Sequence, residues 1–483
     1  MHIVLRCSPA VAARVRYVFD TLLMPLGIET AYPAEPPSSG AWLLYSARKA
    51  GEPGVERAAA IAHHPQAWEH MTRTPLEKVA LHDDLCLPFS TLAPEFEEPD
   101  DLPFDLVANA FYFLASCSER TERTDAPTRA MYATSVFSRL DIPQDIVDRY
   151  QVRLMKLLER LVSRRLQRLN PIPEWPGGGT YAVVLSHDVD YLPQGPLDMA
   201  LQGAKSMARS LIKYRDVPET FQVGAGLARA VASRTDPYGC VPEIIRQEKE
   251  LGVRASFQVA VGHRHPADVN YFIEDDRTRD YLLDICEQGF DLCLHGSYRS
   301  ADDPSWYQQE AELLTKRLRR PLGSRQHFLS FKVDALFRAQ EAAGIQYDMS
   351  MGFPDRPGPR AGFSFPYFPY CIDEDRPYRV LQLSLFLMDV TLRGYMRLRA
   401  EASQPVIDAV LDDLRAKRGC ASVVWHPIVF GGARDPGFDR AFWRLVSRVR
   451  DTGGVCTDGA TINTHWRHRA ARYAGLASHP ASH

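Results

Sequence analysis

Residues Tyr181–Asp190 read YAVVLSHDVD. Tyr181 to Leu185 are apolar without alternation, the pattern of a strand covered on both faces. Ser186, His187 and Asp188 follow at once, then Val189 and Asp190. Side chains alternate along an extended chain, so Asp188 and Asp190 point to the same side. Two carboxylates that close repel, and a bound cation relieves the repulsion. One carboxylate then binds metal and the other takes a proton from water. The competing reading is a solvated strand end.

Beyond this stretch the pattern alternates. Strands are predicted at Ala255–Val261, Phe290–Leu294, Gln326–Phe331, Ile345–Met349, Val380–Leu387 and Ser422–Trp425. Helices are predicted between them at Val241–Leu251, Asp276–Gln288, Pro304–Arg319, Lys332–Ala343 and Pro405–Lys417. Strand-then-helix alternation implies parallel strands joined by crossover helices. About seven repeats suit a barrel of the TIM type, complete or not, or an open doubly wound sheet. No GxGxxG or GxxxxGK[ST] follows a strand, so nucleotide binding has no motif to support it. Residues 191–240 interrupt the rhythm with a helical pair, Leu197–Tyr214 and Pro218–Arg234.

Ahead of the alternation, residues 1–100 read as a small α/β region and 101–170 as a helical segment. The charged run 118–125 is expected to be a solvated loop. The NPIPEWPGGGT stretch at 170–180 cannot continue a helix and marks the boundary. The main domain is expected over 178–465, with a tail at 466–483.

In parallel α/β folds the carboxyl ends of all strands share one face, where active sites are built. The unusual residues fall there: His187, Asp188 and Asp190; His263 and His265; His295; Arg325 and His327; Asp389; His426. A neutral imidazole at a strand end suits zinc, which makes His295 a ligand candidate. His426, delivered by VVWHP, is placed to protonate a leaving amine. Either histidine alone also fits a structural role. Tyr298, Phe328, Phe353 and Trp425 are placed to stack on sugar rings or to pack in the core. Arg356 and Arg360, in a Gly- and Pro-rich stretch, are surface arginines or contacts to an acidic group.

Composition sets limits on partners. The chain has 483 residues, 57 Lys+Arg against 60 Asp+Glu and a formal charge of -3. That balance lacks the basic excess of a nucleic-acid binder. No apolar run reaches the ~18 residues a membrane span needs. Arginines scattered through the first residues do not make a signal peptide, and nine dispersed cysteines without a C-x-x-C pair fit reduced thiols. A cytoplasmic location is the expectation.

These residues together resemble the polysaccharide deacetylase superfamily, over about residues 180–460. Ser186-His187-Asp188-Val189-Asp190 stands where that family has Thr-Phe-Asp-Asp, and Gly252–Gln258 (GVRASFQ) is similar to its Gly-Val-x-Ala-Thr-Phe-Phe strand. His295 matches the first His of its His-Ser/Thr-x-x-His motif. Arg325-Gln326-His327-Phe328 looks like its Arg-x-Pro-Tyr/Phe motif, and His426 its last catalytic His. Residues 1–170, through Phe111–Leu114 and the charged stretch after them, resemble the region preceding some bacterial members.

The resemblance implies a deformed (β/α) barrel of about seven strands and a divalent metal, with zinc expected. It implies removal of N-acetyl or similar acyl groups from a carbohydrate. Asp188 would be the general base, Arg325 would hold it, and His426 would be the acid. Two departures stand out: Arg299 occupies the second metal-His position, and Val189 splits the Asp pair. Asp190 and His295 are then expected as ligands, with His187 as the third. His327, His263, His265 or water are alternatives to His187. His327, Tyr298, Arg299, Trp425 and Arg360 are expected to contact substrate. Two rival functions remain: a carbohydrate-binding protein on a decayed scaffold, and a hydrolase of another C–N bond.

Overall fold

The structure is a computed structural model. It describes residues 1–48, 54–55, 58–96, 101–121, 128–163, 175–262, 265–266, 268–301 and 303–473. His263, the second half of the charged run (122–125), the boundary residues 170–174 and the last residues of the tail, 474–483, lie outside the described residues; the first half, 118–121, is helical and not a loop.

The N-terminal region carries a parallel three-stranded sheet: β1 (His2–Arg6), β2 (Trp42–Ser46) and β3 (Ala58–Ala62), paired in that order. Helices α1 (Pro9–Leu23), α2 (Leu106–Leu114) and α3 (Ile146–Ser163) accompany it. Every residue of α2 is buried, which accounts for its unbroken apolar sequence LVANAFYFL.

The strand after the boundary is β4 (Ala182–Val189), buried at all eight positions. It is followed by β5 (Ser256–Val259), β6 (Asp291–Gly296), β7 (Gly323–Gln326), β8 (Tyr347–Asp348), β9 (Leu381–Gln382), β10 (Leu385–Met388), β11 (Cys420–Val424) and β12 (Val455–Thr457). All pairings among them are parallel, in the order β9-β8-β7-β6-β5-β4-β11-β10, with β12 against β4. The two end strands, β9 and β10, belong to one continuous stretch, Leu381–Met388. That stretch pairs with β8 in its first half and β11 in its second, so the pairing path returns to itself. The result is a deformed (β/α) barrel whose ring has seven members. β12 adds a pairing at the start of β4, beside Ala182–Val184, where β5 has not yet begun.

Crossover helices lie between the strands: α4 (Pro196–Ala208), α5 (Val217–Ser233), α6 (Val241–Leu251), α7 (Asp276–Glu287), α8 (Pro304–Arg317), α9 (Val333–Ala342), α10 (Ala400–Lys417) and α11 (Phe438–Asp451). The final helix is α12 (Gly459–Tyr473).

Three local differences from the sequence expectation have physical causes. The fourth strand ends at Gln326 instead of beginning there, because His327–Leu329 forms a tight turn with Phe328 and Leu329 at φ of 59° and 52°. Helix α10 starts a turn before Pro405 and carries that proline inside it. Residues 466–473 are helix and core, not tail: Trp466 is buried and stacks on Trp175 with ring centroids 5.4 Å apart.

The N-terminal region and the barrel share one hydrophobic core, which runs from Ile3 through Phe111 and Tyr150 to Trp466 and Ala470. Tyr17 packs on Tyr370 with centroids 4.8 Å apart and donates to the Phe368 carbonyl. Arg469 donates to the carbonyls of Met24 and Pro25, each at 2.9 Å. Arg120 is bonded to Asp334 and Arg360 to Glu119 across the same seam.

Candidate active site

The carboxyl ends of β4, β7, β10 and β11, with the segment after β5, surround a cleft of about 720 Å³. Its wall includes Asp188, Asp190, His327, Asp389 and His426. Asp188 lies inside β4, buried, and accepts a hydrogen bond from Arg325 Nη1. Arg325 is itself buried and anchored twice more, donating to Ser186 Oγ at 2.8 Å and to the Met349 carbonyl at 3.1 Å. A guanidinium with three fixed acceptors has one orientation, and that orientation holds Asp188 in place. Burial by itself would raise the Asp188 carboxyl. Arg325, followed by His295 and His426, outweighs it and holds the group below the usual carboxylate range.

Asp190 stands one side-chain repeat further on, at the cleft wall. Its Oδ1 is 3.4 Å from His295 Nε2 and 3.8 Å from His327 Nε2. One ligand atom each from Asp190, His295 and His327 lies within 4.8 Å of the others. His295 Nδ1 is 3.0 Å from the Arg325 carbonyl. A carbonyl only accepts, so Nδ1 carries the proton and Nε2 is turned to Asp190; burial would lower this histidine, but Asp188 and then Asp190 raise it. Asp190 Oδ1 and His295 Nε2 are both buried with no hydrogen-bond partner. A cation between them satisfies both: a proton on Nε2 in the ion-free site, or a metal ion that takes the Nε2 lone pair and the carboxylate oxygen together. These residues therefore fit a divalent metal. Their N₂O donor set suits zinc and other first-row ions. Asp190 is held far below the usual carboxylate range: burial opposes this, and His327, His295 and His426 outweigh it.

His327 owes its aim to the strained turn that follows it. Positive φ at a non-glycine residue is costly, and two in succession persist only where packing enforces them. Here Phe328 stacks on the His327 ring with centroids 4.0 Å apart, and Arg129 of the N-terminal region lies over the Phe328 ring at 4.4 Å. The other nitrogen of His327, Nδ1, is 3.6 Å from Asp268.

His426, just past β11, completes the site. Its Nδ1 donates to Asp389 Oδ1 at 2.7 Å and its backbone N–H reaches Asp389 Oδ2 at 3.2 Å. Two bonds to one carboxylate fix the ring, leaving Nε2 3.6 Å from Asp190 Oδ2. Burial would lower this histidine, but Asp389, then Asp190 and Asp188, push it up to about 9. The imidazole therefore carries a proton at neutral pH.

The structure thus brings together Asp188, Asp190, His295, Arg325, His327 and His426. It does not bring His187, Arg299, Tyr298, Trp425 or Arg360 to them. His187 follows the strand alternation to the opposite side of β4 from Asp188. There it is fully buried, bonded to the Trp425 carbonyl at 2.7 Å and to Glu248 at 3.0 Å, so neither ring nitrogen is left for a metal. Arg299 is exposed and lies over the Trp306 ring at 4.2 Å. Tyr298 stacks on His265 with centroids 4.4 Å apart, outside the cleft. Trp425 is core: it is fully buried and its Nε1 donates to the Phe438 carbonyl. Arg360 is committed to Glu119 at the seam between the N-terminal region and the barrel. Arg356, also outside the cleft, lies over the Tyr132 ring at 4.2 Å.

Asp389 and Asp268 were given no role by the sequence. Asp389 ends an apolar strand, as Asp188 nearly does, so its position was a usable signal. Asp268 sits in a polar loop, and nothing local marks it.

No family model matches this chain, and no curated protein does. Solved structures with partial likeness include a candidate polysaccharide deacetylase from Mycobacterium smegmatis, at 19% identity and a TM-score of 0.41, covering 62% of this chain and 93% of that one. Puue allantoinase follows at 13% identity and a TM-score of 0.39, covering 65% of this chain and 96% of its own. A candidate polysaccharide deacetylase from Pseudomonas aeruginosa PAO1 is similar at 13% identity and a TM-score of 0.38, covering 62% and 95%.

Proposed function

We propose that this chain is a metal-dependent hydrolase that removes an N-acetyl or related acyl group from a sugar. One observation carries the reading: an Arg-held carboxylate and an Asp-held imidazole border the same three-ligand cluster. Asp188 Oδ2 is 3.9 Å from His295 Nε2, and His426 Nε2 is 3.6 Å from Asp190 Oδ2. A site that only bound a ligand would need no base and acid held this firmly on either flank of a cation site.

Asp190, His295 and His327 would hold the ion, which supplies carbonyl polarisation and a water pKa lowered toward ~7. Asp188 takes the proton from the attacking water at its Oδ2, since Oδ1 is committed to Arg325. His426 gives the proton on Nε2 to the departing amine nitrogen, while Asp389 steadies the imidazole through Nδ1. Arg325 and Asp389 act as positioning residues. Tyr191, Phe272, Phe328 and Tyr395 alternate with polar groups along the cleft, a lining suited to the mixed faces of sugar rings. The cysteines are all free thiols, which supports a reducing compartment and hence action on a glycan precursor in the cytoplasm.

The test is metal analysis of the purified chain, followed by acetate release from a panel of N-acetylated oligosaccharides. Asp188→Ala is expected to lower release by about 10²–10⁴-fold with metal retained. His295→Ala loses the metal; His426→Ala keeps it and loses turnover. A protein that holds no metal and releases no acetate across the panel sinks the proposal. Retained glycan binding in that case would favour a binding protein.

A further inference from the structure

The hairpin of α4 and α5 has two unlike faces. Its inner face is docked on the barrel. A Cβ on Gly226 would lie 2.5 Å from the Gly432 carbonyl oxygen, so that contact needs glycine, while Gly203 of α4 lies against Leu227 of α5 and lets the two helices approach. Ser206 meets Tyr238 at 3.3 Å, and Arg209 donates to Asp435 at 2.9 Å.

The outer face is apolar. Among the described residues fourteen large hydrophobic side chains are exposed, and eight of them lie between Leu197 and Val231. Leu197 is 86% exposed, and Ile212 and Phe221 are 75% exposed. The spacing is regular: Leu197, Leu201, Ala204, Ala208 and Leu211 form one exposed stripe, and Val217, Phe221, Ala225, Ala228 and Ala232 a second. Steps of three and four put each set on one side of its helix.

Charge on this face has a single sign. Lys205, Lys213, Arg215, Arg229 and Arg234 are exposed. The three acids of the same stretch are engaged elsewhere: Asp198 with Tyr191, Asp216 with Arg399 and Glu219 with Arg393. The hairpin is therefore cationic on a chain whose formal charge is -3.

We propose that this face docks on an anionic lipid bilayer, with the hairpin lying in the interface. Exposed aliphatic stripes flanked by Lys and Arg are what such a surface binds. A second copy of the chain is disfavoured, because a two-fold contact would set five cations against five like charges. No described helix is long and apolar enough to cross a membrane, so the hairpin lies on the bilayer and not through it. Gln202 and Lys205 of α4 also line the cleft, so docking sets the cleft mouth beside the lipid surface. The proposal stands independently of the reaction assigned above.

The purified full chain would be floated with vesicles of phosphatidylcholine plus phosphatidylglycerol, and with phosphatidylcholine alone. The expected result is flotation with the anionic vesicles, weakened by salt. The double variant Ile212→Gln/Phe221→Gln is expected to lose at least about tenfold in binding. Lys213→Gln/Arg215→Gln is expected to lose about thirtyfold on anionic vesicles. All four side chains are exposed, so the thermal midpoint should be unchanged and loss of fold is controlled for. The proposal is overturned by absence of flotation on either vesicle. It is equally overturned by undiminished binding of the Ile212/Phe221 variant, or by a dimer in solution that this variant dissociates.

Discussion

Replacing Arg325 with methionine removes the guanidinium while keeping most of the side chain's apolar bulk. The wild-type carboxyl of Asp188 sits below the ordinary 3.8. Its contribution to stability is therefore fully present above the unfolded value, and is lost as pH falls through the folded value. Without Arg325 the largest influence on Asp188 is burial, which favours the neutral acid, and the two histidines replace the lost cation only in part. The Met349 carbonyl and Ser186 Oγ also lose their donor. Leaving one partner of a buried ion pair uncompensated costs about 3–5 kcal/mol. The variant should show that loss at pH 8 in urea unfolding with chelator present, and the loss should shrink as the pH is lowered and Asp188 takes up a proton. Asp188→Asn in the same background should restore about 1–2 kcal/mol, because the orphaned charge is gone. A loss under about 1 kcal/mol at pH 8, or a further loss on adding Asp188→Asn, would refute the reasoning.

Glu310 is buried beneath the loop that follows β6, accepting from the Ser297 N–H at 3.1 Å, and burial pushes its carboxyl from 4.5 up to about 7. A raised acid binds its proton more tightly in the folded state, so Glu310's own contribution to stability is greatest below pH 4.5 and falls as pH rises through the window to about 7. Glu310→Gln should abolish that slope and stabilise the protein above neutrality by about 3 kcal/mol, read from unfolding midpoints across pH; an unchanged slope would count against it. His187→Leu should cost about 3 kcal/mol by stranding Glu248 and the Trp425 carbonyl, yet leave metal content at the wild-type level, and loss of metal would restore His187 as a ligand.

The barrel was legible because its strands are covered on both faces, which makes their sequences continuously apolar, and because strand ends collect polar residues. Asp188, His295 and His426 were found by that rule, whereas Arg325, which lies ahead of the strand expected at Gln326–Phe331, drew its role from the motif resemblance. What the rule could not give is side-chain direction beyond one strand. His187 and Asp188 are neighbours in sequence, and alternation sends one to Glu248 and the other to Arg325. The same alternation, applied to Asp188 and Asp190, could have excluded His187. His327 was placed in a strand because RQHFLSF reads as extended. The positive φ at Phe328 and Leu329 is imposed by packing that includes Arg129, nearly 200 positions earlier in the chain. Arg360 and Trp425 were misplaced for a related reason: their partners, Glu119 and the Phe438 carbonyl, come from segments whose proximity only the fold creates.

The contact of Arg469 with Met24 and Pro25 has a consequence for synthesis. The bonded groups are 445 and 444 positions apart. At ribosomal rates of about 5–20 residues per second, roughly 20–90 s pass between the emergence of the two ends. During that interval Met24, Pro25 and Leu26, buried just past the end of α1, have no α12 to rest on. The nascent chain therefore carries an incomplete hydrophobic surface until almost its last helix is made. Chaperone demand, and aggregation on rapid overexpression, should follow the rate of translation more than the equilibrium stability of the finished protein.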